Sequence, residues 1–147
     1  MRDNEEIKRF QENLALIRKI LGLSEKELGD QIGVTRQTIS SIENQKTKMN
    51  RTQYLALRMV IADEMNKNSE DNKMLDFIMK AIVDETEPYT KAQKEKILEK
   101  AKLLAPAIIT KSNTKKEVSK QFIEILTAIG IIAVAIIAGN GAKGGKK

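Results

Sequence analysis

The chain contains no cysteine and no histidine. Disulfides, thiolate nucleophiles, most zinc sites and every imidazole-based acid–base mechanism are therefore excluded. The absence of cysteine also fits a reducing cytosol. Aromatic residues make up only 3% of the sequence, and no alternating β-branched run is bounded by turn pairs, so strands are not expected. The N-terminal stretch MRDNEEIKRF is charged and no apolar run follows it, so no signal peptide is expected. No phosphate-binding glycine loop and no group of carboxylates at metal spacing is found. The chain reads as a non-enzyme that needs neither metal nor cofactor.

What is present is helical periodicity over a length that suits one ordinary domain, or a small domain with an appendage. Ile7, Phe10, Leu14, Ile17 and Leu21 recur at helical spacing, which predicts a first helix over residues 5–21, ended by Gly22. Ser24 and Glu27 form a capping-box pair that opens a second helix carrying Leu28 and Ile32 on one face. Gly33 suits the left-handed residue that stops it, and Thr35 suits the N-cap of a third. In that third helix Ile39 and Ile42 point inward and leave Arg36, Gln37, Ser40, Ser41 and Asn44 outward. A fourth helix is expected from Thr52, with Tyr54, Leu55, Leu57, Met59, Val60 and Ile61. The expected core is Leu14, Ile17, Leu21, Leu28, Ile32, Val34, Ile39, Ile42, Leu55 and Val60.

Two short helices joined by one tight turn form the device that places a helix in the major groove of DNA. The sequence motifs add to this. Arg18, Gly22-Leu23-Ser24, Glu27-Leu28, Ile32-Gly33-Val34-Thr35, Gln37-Thr38-Ile39-Ser40, Ile42-Glu43-Asn44 and Lys46 together resemble the phage repressor and Cro (Xre-type) helix-turn-helix family. The resemblance covers about the first 65 residues. It implies base-edge contacts from Arg36, Gln37 and Ser41. It implies backbone contacts from Ser24, Thr35, Asn44, Lys46 and Lys48, and a structural ion pair between Arg18 and Glu43. Two positions depart from the family pattern. Glu25 replaces a Gln or Thr that touches the DNA backbone, and its carboxylate repels phosphate while suiting the helix dipole. Gln45 stands where the family usually has Gly, so the turn must accommodate a side chain.

The net charge of +6 is not where a DNA reader would put it. Residues 1–65 carry 11 Lys/Arg against 10 Asp/Glu, residues 66–110 carry 8 of each, and residues 111–147 carry 7 against 2. Local charge still favours phosphate: between Arg36 and Arg51 stand Arg36, Lys46, Lys48 and Arg51 against Glu43 alone.

Beyond residue 66 the pattern changes. Met74, Leu75, Ile78, Met79 and Ile82 predict an amphipathic helix broken at Glu87-Pro88-Tyr89-Thr90. Ile97, Leu98, Ala101 and Leu104 predict another, halted by Pro106. These stripes are read as packing or dimerisation surface. Thr114 and Glu117 then open a helix through Val118 and Phe122, followed by the run ILTAIGIIAVAIIAG. From Phe122 to Ala138 there are 17 residues with Glu124 the one charge, near the lower limit of about 17 for a membrane span. Lys111, Lys115, Lys116 and Lys120 precede the run, as on a cytoplasmic flank. A membrane anchor over residues 122–139 and a buried oligomerisation helix are both compatible with it.

The expectation is an all-α chain in three parts. Residues 1–66 form the helix-turn-helix domain, 67–110 a helical linker or dimerisation region, and 111–147 a basic-flanked apolar helix with a Gly/Lys tail. Its expected partners are double-stranded DNA and further copies of itself, as a homodimer or higher homo-oligomer. A cytoplasmic location, with or without tethering to the inner face of the membrane, is the matching expectation. The expected function is sequence-specific regulation of transcription, as a dimeric repressor. The alternative is an antitoxin or helical scaffold whose helix-turn-helix is autoregulatory.

Overall fold

The first elements are set by their ends. In the computed structural model, which describes residues 2–133, helices α1 (Arg2–Glu12) and α2 (Leu14–Leu21) replace the single helix expected over 5–21. The break is at Asn13, whose side-chain amide donates to the Arg9 carbonyl at 2.8 Å while its own N–H turns to Phe10 at 3.1 Å. Asparagine competes in this way with the regular helical ladder. Gly22 ends α2 at φ +79°, in the left-handed region a side chain disfavours. α3 (Glu25–Ile32), α4 (Arg36–Glu43) and α5 (Arg51–Lys67) follow. The N-cap of α5 is Asn50 rather than Thr52, because Gln53 lies three residues after Asn50 and closes a capping box with it.

α6 (Lys73–Ile78) runs directly into a π-helix (Met79–Asp84). Its wider turn is visible where Glu85 N–H donates to the Lys80 carbonyl, five residues back, at 2.6 Å. Arg9 closes the far end, donating from Nε and Nη2 to the Val83 carbonyl at 2.9 and 2.8 Å. Arg58 grips Asp84 beside it through two bonds of 2.9 Å. α7 (Lys91–Ile109) continues through Pro106 instead of halting there. Pro106 and Lys102, the residue whose helical hydrogen bond it forfeits, both lie exposed, where water can take the place of that bond.

α8 (Lys115–Ala128) opens on the expected Thr114/Glu117 box but does not extend through the apolar run. Gly130 takes φ +86°, and the N–H groups of Ile131 and Ile132 fold back to the Leu126 carbonyl at 2.9 and 3.1 Å. This is a glycine-terminated helix end. Phe122, Leu126 and Ile132 are buried in the protein's own core, so the expected continuous helix over 122–139 is corrected to one ending at Ala128. Residues 134–147, including the rest of that run, lie outside the described residues. No described helix is long and apolar enough to cross a membrane.

All described helices share one hydrophobic core, and no strand occurs among the described residues. α7 lies along α2, and α8 against α6 and α7. The stripes of residues 74–82 and 97–104 are largely spent here: Met74, Leu75, Ile78, Ile97 and Ala101 are fully enclosed. Leu55 departs from expectation, being 48% exposed on the outer face of α5 with Met59 one turn on. Gly22 is one place where the N-terminal helices lie against the C-terminal pair. A methyl group there would stand 3.3 Å from Ile108 Cγ2 and 3.3 Å from Lys115 Cε.

Candidate nucleic-acid interface

The turn between α3 and α4 is built from backbone outward. The Ser24 hydroxyl accepts from Glu27 N–H at 3.0 Å, and Glu27 Oε1 accepts from Ser24 N–H at 2.8 Å. The Ser24 N–H, and then the Ser24 hydroxyl beside it, hold the exposed Glu27 carboxyl below its ordinary value. Gly33 ends α3 at φ +78°, and Val34 N–H returns to the Gly29 carbonyl at 2.9 Å. Gly29 is what permits this: a Cβ there would meet the Val34 carbonyl oxygen at 2.6 Å. Sequence reasoning passed over Gly29. Its signal was a glycine inside a helix, which costs about 1 kcal/mol against alanine and usually marks close packing.

α4 is then fixed by two anchors. Ile39 and Ile42 are wholly buried, each worth about 1.5–3 kcal/mol of burial. Thr35 caps the helix, its hydroxyl accepting from Thr38 N–H at 3.1 Å. With that face spent, Arg36, Gln37 and Asn44 are exposed and Ser40 and Ser41 half-buried. Asn44 Nδ2 donates to Ser40 Oγ at 3.3 Å, which orders the end of the outward row. The Ser24 and Thr35 hydroxyls each accept one backbone bond and lie exposed at a helix start, where anionic oxygens are favoured.

The loop after α4 carries exposed Lys46, Thr47 and Lys48. Gln45 adopts φ +61°, a conformation normally left to glycine. A residue that the sequence did not single out holds this loop. Gln11 is buried, donating from Nε2 to the carbonyls of Ile42 at 3.0 Å and Thr47 at 2.8 Å, and accepting from Met49 N–H at 2.9 Å. One amide thus satisfies three backbone groups on both sides of the two lysines. The contact spans more than thirty residues of sequence, so no local pattern announces it.

Arg18 and Glu43 meet in a two-bond pair of 2.6 and 3.2 Å, and Arg18 Nη1 also donates to the Leu23 carbonyl at 3.0 Å. This ties α2, the α2–α3 turn and the end of α4 together. Burial pushes the Glu43 carboxyl up; Arg18 pulls it down, and the neighbouring Glu25 carboxylate pushes it up again. Glu25 in turn reaches across to Arg36, whose Nη1 stands 3.4 Å from Glu25 Oε1. Positions 18, 43, 25 and 36 therefore form two ion pairs in a row, Arg18–Glu43 and Glu25–Arg36, with the two carboxylates adjacent between the outer guanidinium groups.

No group of three or more acidic side chains able to hold a metal ion occurs among the described residues. The arrangement offers exposed donors, a basic loop and two helix starts, which is the chemistry of phosphate and base-edge contact. Comparison with known proteins points the same way: residues 14–54 match the family model for the helix-turn-helix. No curated protein and no solved structure matches the chain.

Proposed function

We propose, from the premise that residues 14–54 are a phage-repressor/Cro-like helix-turn-helix, that the chain is a sequence-specific DNA-binding regulator of transcription. The observation that carries this reading is the two-sidedness of α4. Ile39 and Ile42 are sealed on one side while Arg36 and Gln37 stand clear on the other. In the groove, Arg36 takes guanine O6 and N7, Gln37 takes adenine N6 and N7, and Ser41 touches the neighbouring base. Ser24, Thr35, Asn44, Lys46 and Lys48 fix register on phosphates without reading sequence.

The working unit is a dimer. One such helix covers about four base pairs, and two-fold symmetry doubles the reading over half-sites about 34–36 Å apart. Repression follows from occlusion: a dimer on its operator blocks the polymerase, in the cytosol where the DNA lies. Residues 1–66 carry the reading, and residues 67–133 brace it. The alternative, in which residues 70–110 serve a protein partner, is less favoured, because most of their apolar positions are already used in the chain's own core.

The test is selection of bound sequences from a random duplex pool with the full chain. The expected outcome is a short palindromic consensus. Recovery of unenriched sequence would sink the proposal.

A further inference from the structure

The pair between Glu25 and Arg36 joins the first residue of α3 to the first residue of α4, so each charge sits at a helix start. The two positions are not equivalent. A helix start favours the Glu25 carboxylate and disfavours the Arg36 guanidinium. Glu25 is also the more enclosed, with 25% of its side chain exposed against 57% for Arg36. The carboxylate is thus the fixed member and the guanidinium the held one.

Behind Glu25 lies Glu43, a second carboxylate whose charge is already taken up by Arg18 at 2.6 Å. If Arg36 leaves, Glu25 is left facing a like charge on one side and incoming phosphates on the other. Nη1 is engaged with Glu25 at 3.4 Å, and the Arg36 side chain that carries the remaining guanidinium donors is 57% exposed. A guanine at the right step can use those donors without displacing the carboxylate. A phosphate approaching the same spot meets both charges, and the attraction to Arg36 is offset by repulsion from Glu25.

We infer that Glu25 sets the sequence selectivity of Arg36: it holds the guanidinium across the turn and repels a duplex that offers phosphate but no matching base. This rests on the DNA-binding reading given above. Glu25 is a positioning residue here, acting on base choice through Arg36.

The experiment is a double-mutant cycle on the full chain with Glu25→Gln, Arg36→Ala and the double variant. Binding is measured on the selected duplex and on a random-sequence duplex at one fixed salt concentration. Glu25→Gln is expected to tighten binding to random duplex more than to the selected site. The ratio of the two affinities should fall by about threefold, the scale of a surface ion pair. In the Arg36→Ala background the same substitution should leave the ratio unchanged. Thermal melts of all four proteins confirm that each is folded. A wild-type preference that survives undiminished in Glu25→Gln overturns the inference alone. So does a fall of equal size with and without Arg36, which would mean that Glu25 acts on base choice independently of Arg36. Equal wild-type affinity for both duplexes overturns the underlying reading, and the inference with it.

Discussion

Tyr54 shows how a single side chain reports on the packing that supports the reading helix. Its ring meets Phe10 edge-on at 5.3 Å, and its hydroxyl donates to Glu6 Oε2 at 2.9 Å. Burial first, and then donation to Glu6, push the phenol up to about 12 from an ordinary 10.0. A raised folded value contributes stability that is present below 10.0 and is lost as pH climbs through about 12. With Tyr89→Phe, Tyr54 is the one tyrosine remaining, and its phenolate absorbance should rise with a midpoint of about 12. A midpoint at the ordinary value would mean that neither the burial nor the Glu6 bond is kept. Gln11 makes a second residue-scale prediction. Gln11→Ala leaves the Ile42 and Thr47 carbonyls and the Met49 N–H without that partner, at a cost of about 1–3 kcal/mol. Urea unfolding should show the loss, and amide exchange should speed at Met49. At the start of α4, the far end of the helix from the loop that Gln11 holds, Arg36→Ala should cost about 1–3 kcal/mol on the selected duplex and relax one operator position. Equal loss on selected and random DNA would make Arg36 a phosphate contact.

At the scale of the element, Gln45 is the position where geometry and residue type disagree. Its φ of +61° is strained for a side chain, and the bond it gains from Nε2 to the Gln11 carbonyl is long at 3.4 Å. Gln45→Gly should therefore stabilise the fold by about 0.5–1 kcal/mol, read as a higher urea midpoint at unchanged slope. A lower midpoint would show that the amide bond outweighs the strain. This turn also marks what the sequence could reveal. Ser24 with Glu27, Thr114 with Glu117, Thr35, Gly22 and Gly33 are legible because a cap is a bargain between residues three or four apart. Asn50 was missed for Thr52 because both are good caps, and only Gln53 separates them. Asn13 and Pro106 were misjudged in opposite directions. Asparagine looked harmless and broke a helix through its own amide, while proline looked fatal and was absorbed on a wet face. The π-helix left no clear mark on periodicity, since four of the six residues Met79–Asp84 are apolar and the run Ala81-Ile82-Val83 is apolar whichever way it turns.

Over the whole molecule, the C-terminal helices are pinned to α5 by Lys115, whose Nζ donates to Glu64 Oε2 at 2.7 Å. Burial alone would raise the Glu64 carboxyl. The bond and charge of Lys115, helped by Lys67 and Asn72, outweigh it and hold the group below its ordinary 4.5. A lowered folded value gives stability that is present above 4.5 and is lost as pH falls through the folded value. Glu64→Gln should thus cost about 1 kcal/mol at neutral pH. The gap between the two urea midpoints should close in acid, and a gap independent of pH would assign the loss to packing. Unlike Arg18–Glu43, which the family resemblance implied, this long-range pair could not be read in advance. Lys115 and Glu64 stand fifty-one positions apart, and the lysine was counted instead as part of a basic flank. Leu55 was assigned to the core because it is apolar, although nothing in the sequence says which side of α5 faces inward. The apolar run after Phe122 was read by composition, whereas Gly130 ends the helix and returns Ile132 to the interior.

Gly22 carries this interdependence into how such a protein can change. A side chain at Gly22, in the segment proposed to read DNA, would crowd Ile108 and Lys115, so the two halves share a wall there. A reader joined in this way is not a cassette. Splicing residues 1–66 onto an unrelated C-terminal half would uncover α2 along the line where α7 now lies. Alanine at position 22 would strain the left-handed turn and crowd Ile108 and Lys115, while Arg36 and Gln37 lie outside that contact. On the proposed reading, exposed positions such as 36 and 37 can change without touching that wall, but a new C-terminal half must come with a surface that fits a glycine.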